Sequence, residues 1–98
     1  MMSELEEIKR KLRENKPDLI EKYNVEEISI FGSYVHGDQT SSSDVDILIE
    51  FSQPLGLIKF IKLEEEFEDI LGLTVDLVPK KGIKMELKDT ILDEAVTV

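Results

Sequence analysis

The sequence predicts an α/β chain of the α+β kind, a small mixed β-sheet flanked by helices. Three observations carry that expectation. Short apolar runs with period-two alternation, the mark of half-buried strands, occur at residues 25–31, 44–51 and 73–78. A stretch with helical spacing, residues 57–71, separates the second run from the third, so a strand–helix–strand crossover is expected inside a sheet that is mixed as a whole. With 98 residues and no cysteine, the chain has to hold one core without disulfides. A domain of this size buries roughly 60 to 68 per cent of its unfolded surface, enough for that core. The expected organisation is a single domain over residues 1–98.

The elements follow in order. Ser3 and Glu6 form a capping box for a first helix with Leu5, Ile8 and Leu12 on one face, and Asn15 and Pro17 are expected to end it. A second short helical piece, residues 18–23, leads into the strand at 25–31. Gly32-Ser33 forces a turn, followed by a short helix near Tyr34. Residues 37–43 are small and polar: a loop long enough to close over a ligand, or simply a connection.

Beyond the second strand, Pro54 and Gly56 precede the helix at 57–71, whose expected inner face is Leu57, Phe60, Ile61, Phe67, Ile70 and Leu71. Glu64, Glu65 and Glu66 are then its solvated side. Gly72 suits a helix C-cap, and Pro79 closes the third strand. A last helix over 85–96 is expected to turn Leu87, Ile91, Leu92 and Ala95 inward. The chain has no internal repeat, linker or low-complexity tract.

The chemistry concentrates in residues 31–51, FGSYVHGDQTSSSDVDILIEF. Side chains alternate along a strand, so Asp44, Asp46, Leu48 and Glu50 share one face while Val45, Ile47, Ile49 and Phe51 share the other. The Cα atoms of Asp44 and Asp46 then lie roughly 6.6 Å apart, and both carboxylates can lean onto one hard cation. Without a cation two adjacent anions repel and one pKa rises. Upstream, Gly32 lets the backbone approach a ligand closely, and Ser33 offers a hydroxyl beside free N–H groups at the start of a helical turn. Together they favour phosphate. Plainer accounts exist for each half alone: an Asp-x-Asp can be the wet face of an edge strand, and a Gly-Ser can be only a turn.

Gly32-Ser33, ten further residues, Asp44-x-Asp46 and an apolar strand together resemble the signature of the nucleotidyltransferase superfamily that includes DNA polymerase beta and kanamycin nucleotidyltransferase. At this length the segment is similar to the minimal nucleotidyltransferases, the antitoxin partners of HEPN-domain toxins. The likeness runs from about Val25 onward. It implies the nucleotidyltransferase fold and a third carboxylate on a later strand. Asp76 is the candidate, a lone acid in LTVDLV; the competing account is an edge-strand charge that keeps the edge soluble.

The resemblance further implies transfer of AMP from ATP to a hydroxyl. Asp44 and Asp46 are expected to hold magnesium, a second magnesium ion to be shared with Asp76, and Asp76 to be placed to take the proton. Gly32 and Ser33 are expected to hold the β- and γ-phosphates. Magnesium suits the site better than zinc because the ligands are oxygens. With no room for an acceptor-binding domain, the acceptor is expected on a partner, a HEPN ribonuclease toxin modified on tyrosine. Two alternatives stay open: a binding-only antitoxin that masks the toxin, and an enzyme for small hydroxylated substrates of the aminoglycoside type.

One departure from the family pattern GSxARG is Val35-His36-Gly37, where a permanent cation gives way to a titrating group. His36 either contributes to phosphate or partner binding or is an exposed turn residue. The late cluster Lys80, Lys81, Lys84 and Lys88 stands where relatives carry arginines. Lys84 could contact phosphate, with a solvated basic face as the blander account.

A net charge of −10 repels duplex nucleic acid, so direct nucleic-acid binding is disfavoured and a basic protein partner favoured. No apolar run approaches the roughly 20 residues of a membrane span, and the acidic, amphipathic start is unlike a secretory signal. A cytoplasmic protein without membrane contact is the expectation.

Overall fold

The computed structural model describes residues 3–83 and 85–98, with residue 85 described by its backbone alone. Helix α1, Glu4–Tyr23, starts where the capping pair predicts: Ser3 Oγ accepts the Glu6 N–H at 3.2 Å, and Glu4, Glu6 and Glu7 complement the positive end of the helix dipole. It does not stop at Pro17. The expected break between Asn15 and Asp18 is absent because Pro17 and Arg13 lie on the exposed side, where the carbonyl losing its partner can turn to water. Leu12 and Leu19, both fully buried, fasten the helix to the core on either side of the proline. The real stop is Asn24, in the left-handed region at φ 56°, whose N–H reaches the Ile20 carbonyl at 3.0 Å.

Strands β1 (Val25–Phe31), β2 (Val45–Phe51), β3 (Val75–Pro79) and β4 (Val96–Thr97) form one sheet in the order β3-β2-β1-β4. β1 pairs antiparallel with both β2 and β4, while β2 and β3 are parallel, joined by helix α3 (Leu57–Leu71). The mixed sheet and its crossover are as the sequence predicts. One face is the core: Ile28, Ile30, Val45, Ile47, Ile49, Val75 and Leu77 pack with Leu12 and Leu19 of α1 and Leu63 and Phe67 of α3. The opposite face carries Ser29, Phe31, Asp46, Leu48 and Asp76, which pair across the strands. Ser29 and Leu48 are nonetheless buried, since β4 and the end of α4 (Met85–Glu94) line the same hollow.

Two inner faces differ from expectation. On α3 the buried stripe is Leu63, Phe67 and Leu71, flanked by Phe60 and Ile70, and it leaves Leu57 74% and Ile61 50% exposed. Residues four apart stack on one side of a helix, and the row 63, 67, 71 settles which side faces the sheet. On α4 the helix ends at Glu94, and residues 96–97 become strand β4, with the Val98 N–H reaching the Ile28 carbonyl at 2.9 Å. The free edge of β1 draws the chain out of the helix, and Leu87 is 52% exposed. Among the described residues no helix is long and apolar enough to cross a membrane.

Candidate active site

The site begins where β1 ends. Phe31 stands opposite Asp46, and the next residue, Gly32, adopts φ 80° and ψ −150°, a region essentially closed to residues with a Cβ. It opens the four-residue helix α2 (Ser33–His36), with its carbonyl accepting the Val35 N–H at 3.1 Å. A Cβ placed on Gly32 would lie 2.1 Å from Asp46 Oδ2. The close approach that a glycine permits here is therefore to the aspartate of the next strand. Ser33 follows directly, at the same end of the sheet.

Asp46 lies in β2 and is half-buried, with Asp44 exposed one residue ahead of the strand. Asp76, exposed on edge strand β3, is the in-register neighbour of Asp46. Paired residues of adjacent parallel strands lie about 4.8 Å apart and project to the same face. The sheet thus brings the three aspartates to one end and one side. Asp46 registers the other two: its carboxyl is pushed above its ordinary range, first by burial, then by Asp76, then by Asp44.

Among the described residues, no three acidic or histidine side chains already stand at coordinating positions about a common point. Strand register fixes the backbone of Asp46 and Asp76, however, and the exposed side chains of Asp44 and Asp76 are free to rotate. An all-oxygen donor set with mutual repulsion to relieve fits a hard divalent cation in kind and in backbone placement.

Neighbouring residues support this arrangement without having been legible in sequence. Glu68 of α3 accepts the Val75 N–H at 3.1 Å, which pins the start of β3 beside Asp76. Glu64 is half-buried, and its carboxyl is raised by burial and by Glu68, Asp76 and Glu65, so it borders the acidic cluster. Of the three glutamates expected on the solvated side, Glu65 is exposed while Glu64 and Glu66 are half-buried. Tyr34, 5% exposed, packs between the start of α1 and the site, its phenol raised by burial, Glu4 and Asp44. An aromatic in a four-residue helix carries no periodicity, so nothing in the sequence marked it.

His36 Nε2 lies 3.2 Å from Glu94 Oε2, linking α2 to α4. The residue in the family-arginine position therefore has a carboxylate partner. Lys80 reaches Glu50 at 3.3 Å, Lys81 and Lys88 are exposed, and Lys84 lies outside the described residues. The polar loop folds on itself: the Thr40 N–H donates to Ser43 Oγ at 2.8 Å, and the Ser43 N–H to the Thr40 carbonyl at 3.1 Å.

Residues 5–98 match the family model described as the nucleotidyltransferase domain. The chain is 48% identical over 97 residues to the protein adenylyltransferase MntA of Thermococcus cleftensis, covering 99% of this chain and 98% of that one. A solved structure described as a minimal nucleotidyltransferase superposes with a TM-score of 0.80 at 29% identity, over 99% of this chain and 97% of that one. A toxin–antitoxin crystal structure with AMP-PNP gives a TM-score of 0.69 at 26% identity, over 98% of this chain and 72% of that one.

Proposed function

We infer, from a chain that belongs to the nucleotidyltransferase domain family, that it is a protein adenylyltransferase of a toxin–antitoxin pair, transferring AMP from ATP to a hydroxyl of a HEPN-domain toxin. One observation carries the reading: Asp46 and Asp76 stand in register on adjacent strands, with Gly32 closed against Asp46. The similarity to MntA and to a toxin–antitoxin complex holding an ATP analogue supports the choice of nucleotide and of a toxin as partner. Residues 1–98 act as one domain that supplies the nucleotide half of the reaction, and the partner supplies the acceptor.

In the transfer, the acceptor oxygen attacks the α-phosphorus, the bond to the β-phosphate oxygen breaks and pyrophosphate leaves. Gly32 and Ser33, at the turn into α2, orient the β- and γ-phosphates. Asp76, exposed at the sheet edge, faces the incoming acceptor and takes its proton. Asp46, held against Gly32, keeps its carboxylate beside the turn that orients the phosphates. Magnesium bound by Asp44, Asp46 and Asp76 would supply charge neutralisation of the phosphates and activation of the attacking oxygen. Such activation is needed if the acceptor is a tyrosine, because a phenol of pKa about 10 is almost wholly protonated at neutral pH.

The test is to incubate the chain with a HEPN-domain toxin from the same source, ATP and magnesium, and to weigh both products. One or more adenylyl groups on a tyrosine of the HEPN protein are expected, and none with Asp44→Asn/Asp46→Asn. A toxin that is silenced yet unmodified would replace catalysis with masking by contact.

A further inference from the structure

The outward face of α3 changes character along its length. Leu57, Ile58 and Ile61 are 74%, 72% and 50% exposed, large aliphatic groups within two turns of one another. Such a cluster is more than the scattered apolar residues of an ordinary surface. From Ser52 to Leu63 there is no acidic residue, in a chain with 22 of them among 98, and Lys59 and Lys62 are both exposed. From Glu64 onward the helix turns acidic.

Lys22 at the end of α1 meets Glu66 at 3.5 Å, while residues near the start of α1 share a hollow with Leu71 and Leu73. The two helices are therefore antiparallel, and the first turns of α3 extend past the end of α1. Just ahead of α3, a hollow of about 370 Å³ has apolar walls from Phe51, Pro54 and Leu55; Lys81 lines it, as does Lys80, which is paired with Glu50 of the same lining.

We propose that this apolar, lysine-bordered end of α3 and its adjoining hollow form the docking surface for the acceptor protein, and that they receive an acidic, amphipathic segment of it. The proposal rests on the reading above that the acceptor is a protein. Charge selects the occupant. A second copy laid patch to patch would set lysines against lysines, and each copy carries −10 overall. An anionic membrane would meet the chain's acidic surfaces as well as this patch, whereas one short segment meets only the lysines beside it. A partner segment with acids around an apolar stripe satisfies both the aliphatic cluster and the exposed Lys59, Lys62 and Lys81.

Position also fits. Asp46 and Phe51 lie at opposite ends of β2, five residues or roughly 16 Å apart, so a partner seated at the Phe51 end leaves Asp44, Asp46 and Asp76 open to its acceptor hydroxyl. Docking and chemistry are thus spatially separate.

The experiment measures binding of a HEPN-domain toxin from the same source by calorimetry to the wild type, to Leu57→Asp/Ile61→Asp and to Lys59→Glu/Lys62→Glu. Both variants are expected to weaken binding by at least about tenfold, with the melting temperature and the magnesium-dependent binding of an ATP analogue unchanged. Wild-type binding by both variants overturns the proposal, as does light scattering that shows a wild-type dimer broken by the same changes. Lost binding in the variants, alongside a wild type that never transfers AMP, leaves the docking surface standing and defeats the function proposed above.

Discussion

At Gly32 one backbone angle and one side chain hold each other in place. The φ of 80° already excludes most residues, and the Asp46 carboxylate occupies the space a Cβ would take. Gly32→Ala should therefore cost about 1–3 kcal/mol of stability and turn the Asp46 carboxylate away, abolishing AMP transfer; a urea melt and an activity assay check both. Asp46 makes a second prediction. Its folded-state pKa lies above the ordinary 3.8, so between the two values the folded chain binds more protons than the unfolded one. Stability attributable to this group falls as pH rises through that window, and the deficit is complete above it. In metal-free buffer at pH 7, Asp46→Asn should melt higher than the wild type, and the advantage should shrink as pH approaches 4. A lower melting temperature for the variant at pH 7 would contradict this origin of the shift. The Gly-Ser turn and the paired aspartates were legible because their spacing is local. That Asp46 fills the space at Gly32, and that Glu68 anchors Val75, depend on contacts between elements that no local pattern encodes.

The same divide between local and long-range signals holds for the secondary-structure elements. β1 and α3 have the limits their periodicity predicts, because each has a long run with one buried side and a clear stop, at Gly32 and at Gly72 in the left-handed region. Leu57 and Ile61, expected on the inner face of α3, fall outside it, because a helix apolar nearly all round at its start does not say which side the sheet will take. β4 was invisible, since two residues show no period and pair only because β1 has a free edge. At α1 the intrinsic signal was correct but overridden: a proline inside a helix costs about 3 kcal/mol, yet packing at Leu12 and Leu19 carries the helix through it. Pro17→Ala should restore the missing hydrogen bond on an exposed face, offset in part by a looser unfolded chain. A net gain of about 1–2 kcal/mol is expected, a rise of roughly 5–10 °C in melting temperature. An unchanged or lower value by calorimetry would mean that the bond from residue 17 contributes nothing in this helix.

Across the whole molecule, charge is distributed against stability. The net −10 makes the folded state repel itself, and the sheet order β3-β2-β1 concentrates part of that repulsion by bringing Asp46 beside Asp76 with Asp44 close by. Two kinds of relief are separable. Simple salt screens exposed charges over a Debye length of about 10 Å at 0.1 M, which acts on the net charge wherever it lies. A divalent ion held by the aspartates acts at one place, and binding to the folded state alone stabilises it by about 2.7 kcal/mol at a hundredfold excess over the dissociation constant. Magnesium should therefore raise the melting temperature well beyond sodium chloride at matched ionic strength. The difference should vanish in Asp46→Asn/Asp76→Asn, which keeps shape but removes two of the three charges. Equal stabilisation by the two salts, or an undiminished magnesium effect in the double variant, would show that the cation acts only on the general field and that these aspartates do not hold it.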